Sequence, residues 1–302
     1  MAVNRKAGVG RGRRRAEAVM DAIRGAGFDV HQAAGIGEVG QRASDLAAAG
    51  QLRAAVAVGG DGTFGALLNQ TPVGTPLTIV PVGTENLMAK YLGLRGEPRG
   101  VVDLLQRGVV AGLDAGLAGG RLFALMISAG LDAEVVRQVH RRRSGNITHL
   151  AYAGPILRAV CTYRYPPITA NWQDAGGQPR QATSCWMFGV NLPRYAKNLP
   201  IAPAASGLDG LLDVSLFRRP GTAAGLGYLW SILRRRQERL PSVTATRCQR
   251  LRLESPQPDV AYQLDGDPGG VLPVEVSVAP ARLSVVLGRA AAARLGFAVP
   301  AV

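Results

Sequence analysis

The feature that most constrains this chain is the stretch AVAVGGDGTFGALLNQ at residues 55–70, in which a glycine-rich turn separates two apolar patterns. The apolar run at 54–58 is typical of a buried strand, and Phe64, Leu67 and Leu68 follow it at helical spacing. Glycines at the start of a helix expose backbone N–H groups, which bind anions directly and through the helix dipole. The stretch therefore predicts a phosphate site or, more simply, a tight turn between a strand and a helix.

Two further glycine turns follow predicted strands in the first half of the chain. NRKAGVGRG at 4–12 follows a short strand, and PVGTEN at 81–86 ends another. Because the carboxyl ends of parallel strands meet at one edge of a sheet, the three turns should converge on one crevice. The spacing matches neither a Walker loop nor the GxGxxG dinucleotide fingerprint.

Strand and helix patterns alternate in the first half, which predicts a parallel α/β sheet. Strands are predicted at 2–3, 28–30, 53–58 and 76–83, and helices at 16–25, 38–49, from 63 and at 85–94. After about residue 117, short strand patterns with turn signals predict a mainly antiparallel β-sandwich, interrupted by one helix at 222–236. We expect an α/β domain over 1–117, a β domain over 118–290 whose last strand returns to the first domain, and a tail over 291–302.

The composition excludes several classes of protein. The hydrophobic content of 47% supports a full core, and no stretch reaches the roughly 18 uncharged apolar residues of a membrane span. The N-terminus lacks the apolar segment of a secretory signal. The cysteines lack disulfide or zinc spacing, which favours a reducing, cytoplasmic compartment, and the histidines are expected at the surface. These residues are Cys161, Cys185 and Cys248, and His31, His140 and His149.

The net charge of +14 comes almost entirely from arginine, with triplets at 13–15, 141–143 and 234–236. Such a surface attracts polyanions, although each triplet is as readily explained as a solvated helix face. Aromatic residues do not interleave with the triplets, so no nucleic-acid partner is expected. Contact with an anionic membrane and a homodimer remain open.

The motifs together resemble a known family. VAVGGDGT at 56–63, followed by PVGTEN, is similar to the diacylglycerol kinase catalytic domain superfamily, which has a NAD kinase-like fold and includes sphingoid base kinases and bacterial lipid kinases. NRKAG resembles its opening, and FALMISAGLDAEVV, IAPAASGLDGLLDVSLF and YQLDGDP resemble its later segments, in the same order. The resemblance runs from Asn4 to about Leu287 and implies a two-domain, ATP-dependent lipid kinase acting on a lipid alcohol.

The resemblance also implies a role for each matching position. Phosphoryl transfer needs charge neutralisation and positioning, and a carboxylate near the hydroxyl aids its attack. One of Asp265 and Asp267 is implied as the base that takes the proton from the lipid hydroxyl. The implied nucleotide contacts, with Mg²⁺ near the second group, are Asn4, Lys6 and Gly8; Gly60, Asp61, Gly62 and Thr63; and Gly83, Thr84 and Asn86. The implied structural Mg²⁺ position is Ser206, Asp209 and Leu211.

Plain structural roles compete with these assignments. A carboxylate in GGDG can cap a turn, a polar residue can begin a helix, and DG is an ordinary hairpin signal. For Asp132, in GLDAEVV, an N-cap is favoured over catalysis. The other positions with such an alternative are Asp61, Asn86, Asp209, Asp213 and the pair 265–266.

The chain departs from the family pattern at several positions. Gly65 and Ala66 stand where the family carries Asn-Glu, Asp267 replaces a glutamate, Arg5 replaces a proline, and YAKN at 195–198 replaces a glycine-rich loop. These departures leave a non-catalytic nucleotide- or lipid-binding relative as the alternative. A NAD kinase, which shares GGDGT, is less favoured. The acceptor stays open among diacylglycerol, sphingoid bases and phosphatidylglycerol.

Overall fold

The computed structural model describes residues 1–3, 11–33, 35–141, 154, 158–193 and 201–299. The chain divides into two compact units. Unit 1 comprises Met1–Leu113 and Ala281–Val302, and unit 2 comprises Asp114–Pro280. None of the helices in the described ranges is both long and apolar enough to cross a membrane.

Unit 1 is built on a parallel sheet. Strands β1 (Ala2–Val3), β2 (Ala55–Gly59) and β3 (Leu77–Pro81) lie side by side, and the C-terminal end of the long strand β15 (Val274–Leu287) continues the sheet beside β3. The helices of this unit are α1 (Arg11–Gly25), α2 (Ile36–Ala48), α3 (Asp61–Gln70), α4 (Leu87–Leu92), α5 (Pro98–Arg107) and α8 (Arg289–Arg294).

The core of unit 1 lies between the sheet and its helices. Every residue of β2 is buried, as expected for a parallel strand that is covered on both faces. Val19 and Ile23 of α1 and Val101 of α5 pack in one cluster with Val58 and Val80 of the sheet. Their spacing puts the apolar stripe of each amphipathic helix against the strands.

Unit 2 is mainly antiparallel. Its six-stranded sheet has the order β11 (Val243–Cys248), β10 (Leu212–Phe217), β9 (Trp186–Val190), β6 (Met126–Gly130), β13 (Ala261–Leu264) and β14 (Asp267–Val271), and every pairing in it is antiparallel. The N-terminal part of β15 pairs with β12 (Arg250–Glu254), followed by β7 (Ile168–Gln173) and β8 (Pro179–Ser184). Phe123, Ile127, Met187, Leu216 and Leu253 belong to the cluster that fills this unit. The remaining elements are β4 (Val109–Ala118), β5 (Arg121–Phe123), α6 (Leu131–Arg141) and α7 (Thr222–Leu233).

The predicted fold class, a parallel α/β domain followed by an antiparallel β domain, is confirmed. The strand predicted at 28–30 is wrong. Phe28 and Val30 are half-buried and pack against the core of unit 1, but the neighbouring Ala33 makes only an isolated bridge to Ala2. Two apolar patterns of the sequence, PVEVSVAP at 273–280 and RLSVVLG at 282–288, form one continuous strand, β15.

Candidate active site

The two glycine loops of unit 1 pack directly against each other. Gly60 is the N-cap of α3, and Gly83 lies two residues after β3. A Cβ atom on Gly83 would lie 2.7 Å from Cα of Gly60 and 3.0 Å from Oδ1 of Asn86. A Cβ atom on Gly59 would lie 2.2 Å from Oγ1 of Thr63. Gly59 and Gly83 are therefore required by packing, because a Cβ atom does not fit at such distances.

Asp61 is turned away from the helix that it begins. Its carboxylate oxygens accept the backbone N–H groups of Leu87 at 2.9 Å and of Met88 at 2.8 Å, so the side chain caps α4 and joins the two loops. Burial raises the pKa of Asp61 above its usual value, although these two hydrogen bonds act in the opposite direction. Asp61 thus acts as a cap, which was the plain structural alternative for this residue. The helix that it caps is α4 and not α3.

Asn86 holds the second loop in shape. It adopts a left-handed conformation, with φ of 50° and ψ of 47°, which asparagine tolerates better than most residues. Its Oδ1 accepts the N–H of Gly83 at 3.0 Å, and its Nδ2 donates to the carbonyl of Gly83 at 2.7 Å. Asn86 is the N-cap of α4, as the alternative of a residue that begins a helix predicts. Thr84, in the same loop, is exposed.

The first turn of α3 is the part of unit 1 that fits an anion. The first N–H groups of a helix have no intrahelical partner, and the N-cap Gly60 carries no side chain to satisfy them. The carboxylate of Asp61 is held at α4, so it does not cap this end of α3. The N–H groups of Asp61 and Gly62 and the positive end of the helix dipole suit the phosphates of ATP. The predicted contacts in the opening loop, Asn4, Lys6 and Gly8, lie outside the described residues.

In unit 2, Asp265 anchors the turn between β13 and β14. One of its oxygens accepts the N–H of Ala124 at 2.7 Å, and the other accepts those of Leu125 at 2.8 Å and Met126 at 2.9 Å. Its own N–H donates to the carbonyl of Met126 at 3.0 Å. These bonds fasten the turn to the start of β6, which is a structural use of the carboxylate.

Asp267, the second predicted acid, has a partly exposed carboxylate. Its side chain is 37% exposed, and its Oδ1 lies 3.3 Å from Nε2 of His140, at the end of α6. His140, which is expected at the surface, is 27% exposed there, and its ring lies against Asp267. Sequence spacing could not reveal the pair, since the two residues are brought together by the packing of α6 on the edge of the sheet.

A buried polar network supports the same turn. Nε2 of Gln263 donates to Oγ of Ser128 at 2.9 Å and to Oδ2 of Asp132 at 3.2 Å, and Ser128 donates to Asp132 at 2.5 Å. Oε1 of Gln263 accepts the N–H of Gly266 at 2.7 Å. Asp132 lies inside the first turn of α6 rather than at its N-cap, and it serves this network instead.

The residues predicted to form a structural Mg²⁺ position do not fit a metal as they stand. Asp209 accepts the N–H of Leu211 at 3.0 Å and pairs with the guanidinium of Arg247, whose Nε also lies 3.6 Å from Asp213. Ser206 is half-buried in the same loop. Within the described ranges, no three acidic, histidine or cysteine side chains gather in a way that could hold a metal. A cation bound to Asp209 at this loop would compete with that guanidinium.

Comparison with known proteins agrees with this architecture. Residues 1–118 match the diacylglycerol kinase catalytic domain, and residues 125–287 match the YegS C-terminal NAD kinase beta sandwich-like domain. The chain belongs to this diacylglycerol kinase family. A diacylglycerol kinase of Mycobacterium tuberculosis is 28% identical to it over 244 residues, which cover 78% of this chain and 77% of the relative. The fold also matches the crystal structure of a diacylglycerol kinase from Bacillus anthracis, with a TM-score of 0.71, 19% identity and 96% of each chain covered.

This member of the diacylglycerol kinase family has an open position where the family pattern places a polar pair. Gly65 and Ala66 are half-buried in α3, and Nδ2 of Asn69 donates to the carbonyl of Gly65 at 2.8 Å. A Cβ atom on Gly65 would meet no described atom within 4 Å. The described surroundings therefore leave room for a Cβ atom at position 65.

Proposed function

We propose that the protein is an ATP-dependent lipid kinase that transfers the γ-phosphoryl group to a lipid hydroxyl. Family membership supports the reaction class, and the name of the mycobacterial relative makes diacylglycerol the first acceptor to test. The observation that carries the proposal is the first turn of α3. Its glycines and the N–H groups at the helix start suit a phosphate group. The carboxylate of Asp61, the acid of this turn, does not compete for these N–H groups because it bonds to α4.

In this proposal unit 1 binds ATP. The N–H groups of Asp61 and Gly62 bond phosphate oxygens, while the carboxylate of Asp61 joins the two loops and the amide of Asn86 shapes the second one. These two side chains act by positioning rather than by contact with the reacting atoms. Mg²⁺ that accompanies ATP would neutralise phosphate charge as the phosphoryl group is transferred.

We assign the proton acceptor to Asp267 rather than to Asp265. The oxygens of Asp265 already accept three backbone N–H groups, whereas Asp267 is partly exposed and has His140 as a partner that can orient it. The lipid hydroxyl oxygen attacks the γ-phosphorus, its proton passes to the carboxylate, and the bond from phosphorus to the ADP oxygen breaks.

A lipid phosphorylation assay tests this function. The protein is incubated with labelled ATP and a panel of diacylglycerol, sphingoid base and phosphatidylglycerol, and the products are separated by thin-layer chromatography. Asp267→Asn should lower kcat by at least about 100-fold, the contribution of a general base, with ATP affinity and unfolding midpoint unchanged. Asp265→Asn should lower both kcat and the unfolding midpoint, because an asparagine amide cannot accept all three N–H groups.

A non-catalytic nucleotide-binding relative is the second candidate, favoured by the open position beside Gly65. It predicts intact ATP binding without labelled lipid for any acceptor in the panel. That result would rule out the kinase assignment. Lipid turnover that survives Asp267→Asn would leave the kinase assignment in place and remove Asp267 from the role of base.

A further inference from the structure

Helix α7 presents an apolar face to solvent. The helix, Thr222–Leu233, contains no charged residue, and the side on which Tyr228 lies is buried in unit 2. On another side, Leu226 is 46% exposed, Trp230 61% and Leu233 59%. Their spacing of four and then three residues places them in one stripe along the helix.

This stripe is unusual for the molecule. Seven large apolar side chains are exposed in the part of the chain that the structure describes, and three of them are these residues of α7. Scattered apolar residues on a surface need no explanation, but a contiguous stripe on a helix without charges marks a surface that meets a partner.

Cationic side chains border the stripe. The sequence from 218 to 239 holds six arginines and a single acid, Glu238. The three arginines at 234–236 are exposed and follow the helix directly, and the guanidinium of Arg234 lies 5.1 Å from the centre of the Trp230 ring. Tryptophan beside arginine is the combination found where a protein meets lipid headgroups, with the ring at the acyl boundary and the cation at the phosphate.

We propose that α7 docks the protein onto the surface of an anionic bilayer. Leu226, Trp230 and Leu233 enter the boundary between headgroups and acyl chains, and the arginines at 234–236 bind lipid phosphates. A second copy of the chain suits this face poorly, because a two-fold contact pairs the same patch with itself, and the six arginines of this patch would meet only one acid on the partner. The proposal deepens the proposed function, since a lipid kinase must reach an acceptor that resides in a bilayer.

Vesicle sedimentation without ATP tests the docking surface. Vesicles of phosphatidylcholine with and without phosphatidylglycerol are mixed with the wild-type chain and with the double variant Trp230→Ser, Leu233→Ser. The variant should bind anionic vesicles at least roughly tenfold more weakly, because one large apolar side chain is worth about an order of magnitude in a partition constant. Replacement of the arginines at 234–236 by glutamine should weaken binding and reduce its dependence on salt. The control is Val73→Ser, Val271→Ser, which removes exposed apolar side chains elsewhere and should bind like the wild type.

Equal vesicle binding by the wild type and the α7 variant would overturn the proposal. So would a wild-type dimer in sedimentation velocity that the α7 variant abolishes without lipid, because the face would then be a contact between copies. The docking and kinase proposals can fail separately. If the protein binds vesicles through α7 but phosphorylates no lipid, only the kinase proposal is contradicted. If it phosphorylates lipid but its vesicle binding does not depend on α7, only the docking proposal is contradicted.

A different set of contacts carries a second inference, on the loop at 206–211. Strands β10 and β11 pair in a register that sets Arg247 directly opposite Asp213. From there its guanidinium bonds to Asp209 and approaches Asp213, while the buried carboxylate of Asp114 accepts the N–H of Gly210 at 2.8 Å. Arg247 thus bonds Asp209 and faces one oxygen of Asp213, the backbone bonds Asp114, and the other oxygen of Asp213 is buried without a hydrogen-bond partner among the described residues.

We infer that Arg247 supplies the positive charge that the family resemblance assigns to a structural Mg²⁺ at this loop. A guanidinium carries its charge permanently and bonds carboxylates with several N–H groups, whereas Mg²⁺ needs the same oxygens as ligands. The cation is then part of the chain, and the loop holds its shape without added metal.

Thermal unfolding with added Mg²⁺ or with a chelator, in the absence of nucleotide, tests this inference. The wild-type midpoint should be the same in both conditions, and Arg247→Met should lower it by a few degrees more than the control Arg250→Met, which removes another exposed arginine. A wild-type midpoint that falls on chelation would overturn the inference. Equal midpoints for the two variants would overturn it as well.

Discussion

Gly83→Ala would show how strongly unit 1 depends on the contact between its two glycine loops. The added methyl carbon would lie 2.7 Å from Cα and 3.1 Å from N of Gly60, and 3.0 Å from Oδ1 of Asn86. Backbone atoms cannot rotate away as the end of a flexible side chain can. Reaching ordinary contact, at 3.4 Å or more, requires the loops to separate by about 0.7 Å.

The expected loss follows from two opposing effects. Gly83 does not have a positive φ, so its backbone conformation suits alanine and only the contact is penalised. Overpacking of this kind costs about 1–3 kcal/mol, and weakening the Asn86 bonds to Gly83 adds about 1 kcal/mol. Alanine also lowers the conformational entropy of the unfolded chain, which offsets about 0.4–1 kcal/mol of this loss. The free energy of unfolding of unit 1 should therefore fall by about 1–3 kcal/mol, with weaker ATP binding.

Urea unfolding measures this loss, and Gly65→Ala is the matched control. The control adds the same methyl inside α3, where it meets no described atom within 4 Å, and should stabilise by about 0.5–1 kcal/mol. All three tryptophans of the sequence fall in unit 2, so circular dichroism compared with tryptophan fluorescence separates the two units. A Gly83→Ala protein as stable as the wild type would refute the reasoning.

Three further outcomes follow from the same contacts. Asp61→Ala should lower the free energy of unfolding by about 2–4 kcal/mol in the urea titration, because two N–H groups of α4 lose their acceptor, and Asp61→Asn should lose about half as much. Burial raises the pKa of Cys185 to about 11, so at pH 8 about one in a thousand of these thiols is ionised, and iodoacetamide should modify the exposed Cys161 far sooner. Peptide mass spectrometry checks this order, and equal labelling would contradict it; raising the pH toward 11 should bring Cys185 into reaction. Gln263→Leu should lower both the unfolding midpoint and lipid turnover, because the N–H of Gly266 and the buried network lose their partner, and unchanged turnover would show that the network does not position the turn.

Local sequence patterns were sufficient to predict the strand and helix that frame the first glycine loop. The apolar run and glycines at 55–63 predicted β2 and the start of α3, because strand and helix periods and glycine turns depend on neighbouring residues alone. The same reasoning failed at Phe28 and Val30, whose alternation resembles a strand. Their side chains pack against the core, but within the described part of the chain no strand pairs with residues 28–30. A strand requires a partner, and local sequence carries no information about one.

The sequence by itself determined the two-part architecture, the order of the motifs and the family to which they point. Tertiary contacts decided what each acid does. Asp61 and Asp265 face backbone N–H groups that are remote in sequence, whereas Asp267 faces His140 and solvent. Arg247 reaches Asp209 only because β11 pairs with β10 in one register. A carboxylate looks the same in every motif, and its role depends on which distant donors the folded chain places beside it.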